Sequence, residues 1–224
     1  TDTVDGPLTG SIVVNNPVNA NIAGTYTVTY NVSDAAGNPA TQVTRIVIVQ
    51  DTQAPTLTLT GSSTVNVEQG TSYTDQGATA NDTFDGNLTS SIVVSGDTVD
   101  AATAGTYIIR YDVSDAAGNA ATQLTRTVIV SDTTAPVITL TGSALVNVEQ
   151  ATSYTDAGAT ASDTVDGSVT VTVGGDTVNP AIAATYVITY DAVDAAGNNA
   201  AQVTRTVIVA DTTAPVITLA GLAS

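Results

Sequence analysis

The sequence predicts an all-β protein made of tandem copies of a small, seven-stranded antiparallel β-sandwich. Three observations carry that prediction. Similar words recur at intervals of 81 and 79 residues. Within each copy apolar residues alternate with period two rather than 3.6. Gly, Pro, Asn and Asp cluster between the alternating runs, where turns need them.

The repeat is read from its words. DTQAPTLTLTG begins at Asp51, DTTAPVITLTG at Asp132 and DTTAPVITLAG at Asp211. VNVEQ ends at Gln69 and Gln150, and SYTDQGATA (72–80) returns as SYTDAGATA (153–161). TVDG (3–6), TFDG (83–86) and TVDG (164–167) follow. The GTY, GTY and ATY words end at Tyr26, Tyr107 and Tyr186, and DAAGN closes the series at 34–38, 115–119 and 194–198. The expected domains are a truncated repeat over 1–50 lacking its first two strands, full repeats over 51–131 and 132–210, and the opening strand of a further repeat over 211–224.

The strands follow in order. TLTL (56–59) and VITL (137–140) are β-branched runs suited to half-buried strands. In the Tyr107 segment Tyr107, Ile109, Tyr111 and Val113 share one face, while Ile108, Arg110 and Asp112 share the other. TRTVIV (125–130) supplies the last strand. No helical pattern lasts two turns. Linkers are short, and Pro55, Pro136 and Pro215 fix φ and remove a donor where the chain changes domain. Short Pro-containing connections favour end-to-end stacking, so the repeats are expected to form a rod.

Composition narrows the function. Four basic residues, all Arg, face 21 acidic ones, for a net charge of −17, and Cys, His, Met, Trp and Lys are absent. Thiol, imidazole and Schiff-base chemistry, disulfides and zinc or copper sites built on His and Cys are thereby removed. A negative field with so few cations excludes phosphate neutralisation, so no nucleic-acid partner is expected. No apolar run reaches membrane-spanning length, so no membrane insertion is expected either.

The acidic words suggest a metal. An up-down sandwich places the TFDG and DAAGN loops at one end, beside the linker aspartate. For the second repeat this gathers Asp51, Asp82, Asp85, Asp115 and Asn119; for the third, Asp132, Asp163, Asp166, Asp194 and Asn198. Asp2, Asp5, Asp34 and Asn38 hold the same places in the first repeat, and Asp211 opens the next. Glu68 and Glu149, after VNV, point toward the following junction. Carboxylates crowded without a cation raise one another's pKa. Ca²⁺, which takes six to eight oxygen ligands, relieves that repulsion, and the absence of His and Cys disfavours zinc. The competing structural reading is that Asp-Gly and DAAGN are ordinary turn sequences.

The DxxAP start, VEQG, the YTDxGATAxDxxDG stretch and the GTYxxxYxVSDAAGN…TRTVxV ending resemble bacterial immunoglobulin-like, cadherin-like tandem repeats of large extracellular surface proteins, including adhesins. The resemblance covers the whole chain. It implies tandem immunoglobulin-like sandwiches, a spacer or adhesion role outside the cell, and calcium at domain junctions. By position it gives Glu68 and Asp132 as ligands from the upstream side, and Asp163, Asp166 and Asp194 from the downstream side. Each linker here carries a single aspartate, which points to one ion per junction.

Other features have plainer explanations. Arg45, Arg126 and Arg205 share one repeat position; pairing at the sandwich margin with a carboxylate such as Asp75 or Asp156 is expected over a ligand-binding role. Tyr26/Tyr30, Tyr107/Tyr111 and Tyr186/Tyr190 face inward, which favours core packing over a sugar platform. Asp82/Asp85 as a glycosidase pair fails for want of an apolar site to tune an acid. The expected function is a non-enzymatic, calcium-stiffened spacer, its partners being adjacent repeats or neighbouring copies in a fibre. A self-assembling filament, joined by donation of a strand at Val216 to Leu219, and a carbohydrate-binding module with surface glycans as partners are the alternatives.

Overall fold

The structure, a computed structural model, describes residues 1–218. The chain begins with β1 (Val13–Asn15), β2 (Gly24–Asn31) and β3 (Val43–Val49), which form a single sheet in that order. The second repeat contributes β4 (Thr56–Leu59), β5 (Thr64–Glu68), β6 (Ala78–Asp82), β7 (Gly86–Asn87), β8 (Val93–Gly96), β9 (Gly105–Asp112) and β10 (Leu124–Ser131). The third repeats the set as β11 (Val137–Leu140), β12 (Leu145–Glu149), β13 (Ala159–Asp163), β14 (Gly167–Val169), β15 (Val171–Gly175), β16 (Ala184–Ala192) and β17 (Val203–Ala210). Each full repeat is thus a seven-stranded sandwich. One sheet runs β4-β6-β7 or β11-β13-β14, the other β5-β10-β9-β8 or β12-β17-β16-β15.

Two details differ from the sequence expectation. The sandwich is not purely antiparallel, because the VNVE strands run parallel to the last strand of their own repeat, Val65 beside Val128 and Val146 beside Val207. The opening segment switches sheets between TLTL and VNVE, so three strands, not two, precede the TxDG word in a full repeat. Residues 1–50 accordingly hold only one sheet. Val216 and Ile217 are exposed and belong to no strand, and Leu219, the last residue of the expected donor strand, lies outside the described residues.

The residues group into two compact units. One comprises Thr1–Ser63, Asp75–Asp97 and Ile108–Arg126; the other comprises Thr64–Thr74, Thr98–Tyr107 and the residues from Thr127 on. In the second unit Ile138, Ala161, Ile188, Tyr190, Ala192 and Val207 form the core. Alternation decides which side chains enter it: along β17 Arg205, Val207 and Val209 are buried, and the residues between them are half-buried. Each fully buried aliphatic side chain contributes about 1.5–3 kcal/mol.

Arg126 and Arg205 are core residues rather than marginal ones, whereas Arg45 is exposed. Arg126 and Arg205 are each 1% exposed and paired with Asp75 and Asp156. The guanidinium of Arg205 also donates to the carbonyls of Ser143 (3.0 Å), Thr141 and Gly158 (3.2 Å). It lies 5.6 Å from the centre of the Tyr190 ring, whose hydroxyl donates to Asp156 at 2.8 Å. Arg126 repeats this with Ser62, Thr60, Gly77 and Tyr111. A buried cation held by one carboxylate and three carbonyls has four of its five donors satisfied by them and closes the loop before the VNVE strand. Burial, with the Asp156 charge beside it, pushes the Tyr190 hydroxyl up to about 12. Tyr107 and Tyr186 donate to the carbonyls of Thr103 and Ile182, four residues upstream, which fits the core role read from their parity.

Candidate metal centre

In the first compact unit the DTFDG turn closes β6 onto β7. Asp82 ends β6, and its Oδ1 accepts from the backbone N–H groups of Phe84 (2.7 Å) and Asp85 (3.0 Å), so the aspartate builds the turn that bears it. Asp85 Oδ2 accepts from Ala116 N at 2.8 Å, which ties this turn to the DAAGN loop. The linker brings in Asp51. Asp51, Asp82 and Asp85 each offer an oxygen, and the three oxygens lie within 4.8 Å of one another. Asp82 is buried, and Asp51 and Asp85 are half-buried.

The second unit holds the same assembly. Asp163 Oδ1 accepts from Val165 N and Asp166 N at 2.7 and 3.2 Å, and Asp166 Oδ2 accepts from Ala195 N at 2.7 Å. Asp132, Asp163 and Asp166 again present oxygens within 4.8 Å of one another. Burial raises the Asp132 pKa, and the charges of Asp163 and Asp194 raise it further.

One observation within these clusters asks for a cation. Asp51 Oδ2 and Asp163 Oδ2 are shielded from solvent and have no hydrogen-bond partner among the described residues. Shielded carboxylate oxygens are normally satisfied. Oxygen-only donors in flexible loops suit Ca²⁺, with backbone carbonyls and water able to complete its shell. Asp51, Asp82 and Asp85 would hold one such ion, and Asp132, Asp163 and Asp166 a second.

The other acidic residues named from sequence are placed differently. Asp115 closes its own loop: Asn119 N and Nδ2 both donate to it at 2.7 Å, while Asn119 Nδ2 also reaches the Asp51 carbonyl at 3.4 Å. Asp194 and Asn198 repeat this, with Asn198 Nδ2 at 3.3 Å from the Asp132 carbonyl. Burial opposes the charge of Asp115 and Asp194, yet the asparagine and backbone donors bring both pKa values below the ordinary carboxylate range. These pairs hold the linker against the loop. In the first repeat Asp2, Asp5, Asp34 and Asn38 adopt the same turn geometry. Val4 N lies 2.7 Å from Asp2 Oδ1, Ala35 N 2.9 Å from Asp5 Oδ2, and Asn38 Nδ2 2.7 Å from Asp34. Asp211 Oδ1 accepts only from Thr213 N, at 3.2 Å, among the described residues.

Glu68 and Glu149 reach the junctions but engage the linker. Thr133 N donates to Glu68 at 3.0 Å and Thr134 N at 3.1 Å, and both threonine hydroxyls join them. Thr212 and Thr213 hold Glu149 in the same way. The threonine hydroxyl and amide donors bring both glutamates down to about 2. Sequence reasoning placed the glutamates at the right pole and overlooked the threonines, although the TT of DTTAP stands in both linkers that follow a VNVE strand.

Comparison with known proteins agrees with this architecture. The sequence profile described as "Bacterial surface protein, Ig-like domain" matches residues 1–49, 57–130 and 138–209. An uncharacterised 81.3 kDa protein of Acholeplasma phage L2 is 29% identical over 221 residues, covering 93% of this chain and 30% of that protein. Pesticidal crystal protein Cry22Aa of Bacillus thuringiensis is 32% identical over 127 residues, or 54% of this chain and 17% of the relative. Hyalin of Strongylocentrotus purpuratus is 32% identical over 209 residues, 88% of this chain and 17% of its own length. The chain therefore spans less than a third of each of these relatives. With three profile matches, one to each repeat, the chain belongs to the bacterial surface protein Ig-like domain family.

Proposed function

We propose that these repeats are a non-catalytic spacer of a bacterial surface or extracellular protein, in which calcium stiffens the passage from one repeat to the next. Family membership supports a structural or adhesion-type role at the surface. The observation that carries the calcium reading is the pair of aspartate triads, each with a shielded, unpartnered oxygen on Asp51 or Asp163. Each triad takes one aspartate from the linker and two from the turn of the next repeat, so an ion bound there fastens the linker to that turn. Without it, three carboxylates repel one another and loosen the same contact.

Calorimetric titration of the metal-free chain with CaCl₂, paired with melting in Ca²⁺ and in EDTA, tests the reading. Two ions per chain and a higher Tm in Ca²⁺ are expected, because a ligand of the folded state stabilises it by about 2.7 kcal/mol at a hundredfold excess over Kd. Identical melting curves in the two buffers would remove calcium from the account. Polymerisation that grows with protein concentration would instead identify a filament subunit, and retention on polysaccharide a carbohydrate-binding module.

A further inference from the structure

Glu68 ends β5 and Glu149 ends β12, the strands that run parallel to the last strand of their own repeat. Each carboxylate gathers the N–H and hydroxyl of two successive linker threonines, Thr133 and Thr134 or Thr212 and Thr213. A carboxylate offers about four lone-pair sites, and four donors use them. Little capacity is left for a cation. The linker beginning at Asp51 supplies an internal comparison. Gln53 stands there in place of the second threonine; its N–H donates to Asp51 Oδ1 at 3.0 Å, just as Thr134 N donates to Asp132 Oδ1 at 3.1 Å, and its side chain accepts from the Thr83 hydroxyl, but no glutamate among the described residues engages this linker.

We propose that Glu68 and Glu149 are metal-independent linker clamps rather than metal ligands. Each fastens the residues after a linker aspartate to the end of the preceding repeat, so that Asp132 and Asp211 are presented in a fixed orientation. The clamp itself stands apart from calcium; its role as a positioning device for Asp132 rests on the calcium reading. The division of labour is specific: glutamate secures the linker on its upstream side, and the aspartate triad secures it on its downstream side.

Amide hydrogen exchange of the whole chain in EDTA tests the clamp where no calcium can contribute. The Thr133, Thr134, Thr212 and Thr213 amides should exchange at least about tenfold more slowly, relative to intrinsic rates, than the Thr52 amide of the unclamped linker. Glu68→Ala should release Thr133 and Thr134 while Thr212 and Thr213 stay protected, and Glu149→Ala should do the reverse; the untouched pair reports that the variant is folded. Protection that develops only after Ca²⁺ is added would overturn the proposal. In calcium titration Glu68→Ala should retain the second ion with affinity lowered less than about tenfold, whereas Asp163→Asn should lose it. Loss of that ion in Glu68→Ala would make Glu68 a ligand and also overturn the proposal. If the wild-type chain binds no calcium, the proposed function fails, while protection in EDTA still decides the clamp.

Discussion

Asp132 carries its charge against its surroundings, and that sets its pH dependence. Burial and the charges of Asp163 and Asp194 raise its pKa. A carboxyl whose pKa is higher folded than unfolded withdraws stability as pH rises through the raised value, and restores it on protonation. At neutral pH Asp132 therefore destabilises the metal-free chain, and a cation reverses the sign. Asp132→Asn should melt above the wild type in EDTA and below it in excess Ca²⁺; the same ranking by calorimetry in both buffers would contradict this. Asp156 behaves in the opposite sense. Burial raises its pKa, but the Tyr190 hydroxyl, Arg205 and Tyr154 outweigh burial and leave it below 3.8. Its contribution is present above pH 3.8 and is lost as pH falls through the depressed folded value. Asp156→Asn leaves Arg205 buried and uncompensated, a change that costs about 3–5 kcal/mol in comparable pairs. Urea unfolding should show that loss at pH 7, and the gap from wild type should narrow in strong acid.

At the scale of elements, the VNVE strands and the edge strands follow different rules. Val67 and Val148 alternate with exposed Asn66 and Asn147, as expected of strands with one face inward. The edge strand β8 ends at Gly96, with φ +92°, and β15 ends at Gly175, with φ +79°. There the chain folds back so closely that a Cβ on Gly96 would lie 2.3 Å from the Ile108 carbonyl oxygen, and one on Gly175 2.4 Å from that of Val187. Asp97 and Asp176 complete the turn by accepting from Ile108 N and Val187 N, each at 2.7 Å. Gly96→Ala should therefore destabilise by about 2 kcal/mol or more, since strained φ and overpacking add. Gly37→Ala shares a positive φ of 88° but meets open space, and should cost less. Chemical denaturation of the two variants makes the comparison, and equal losses would show that φ alone governs both.

For the whole molecule, the net charge of −17 is partly a local matter. Six aspartates are drawn into two triads, four by the turns that carry them and two by the linkers. Raising NaCl in EDTA should raise the melting temperature, because screening weakens repulsion between carboxylates that no cation neutralises. In saturating Ca²⁺ the same salt series should give a smaller rise. A Tm independent of salt in EDTA would mean that the acidic groups do not repel appreciably. No helix among the described residues is long and apolar enough to cross a membrane, a statement that does not extend to β-barrels.

Much of this molecule follows from local sequence. Tyr107 to Val113 shows its buried face by alternation alone, because the pleat has period two, and the repeated words establish the tandem order. Asp82, Asp85 and their counterparts lie in turns whose formation needs an aspartate oxygen, so their place was legible as well. Only the tertiary structure decided that TLTL and VNVE join different sheets, that Arg126 and Arg205 lie inside the sandwich, and that the glutamates take linker threonines as partners. The physical reason is the same in each case. Alternation and turn chemistry are properties of neighbouring residues, whereas these choices pair groups some 50 to 70 positions apart, such as Arg126 with Asp75 and Glu68 with Thr133, and depend on which donors remain unsatisfied once the sheets have packed.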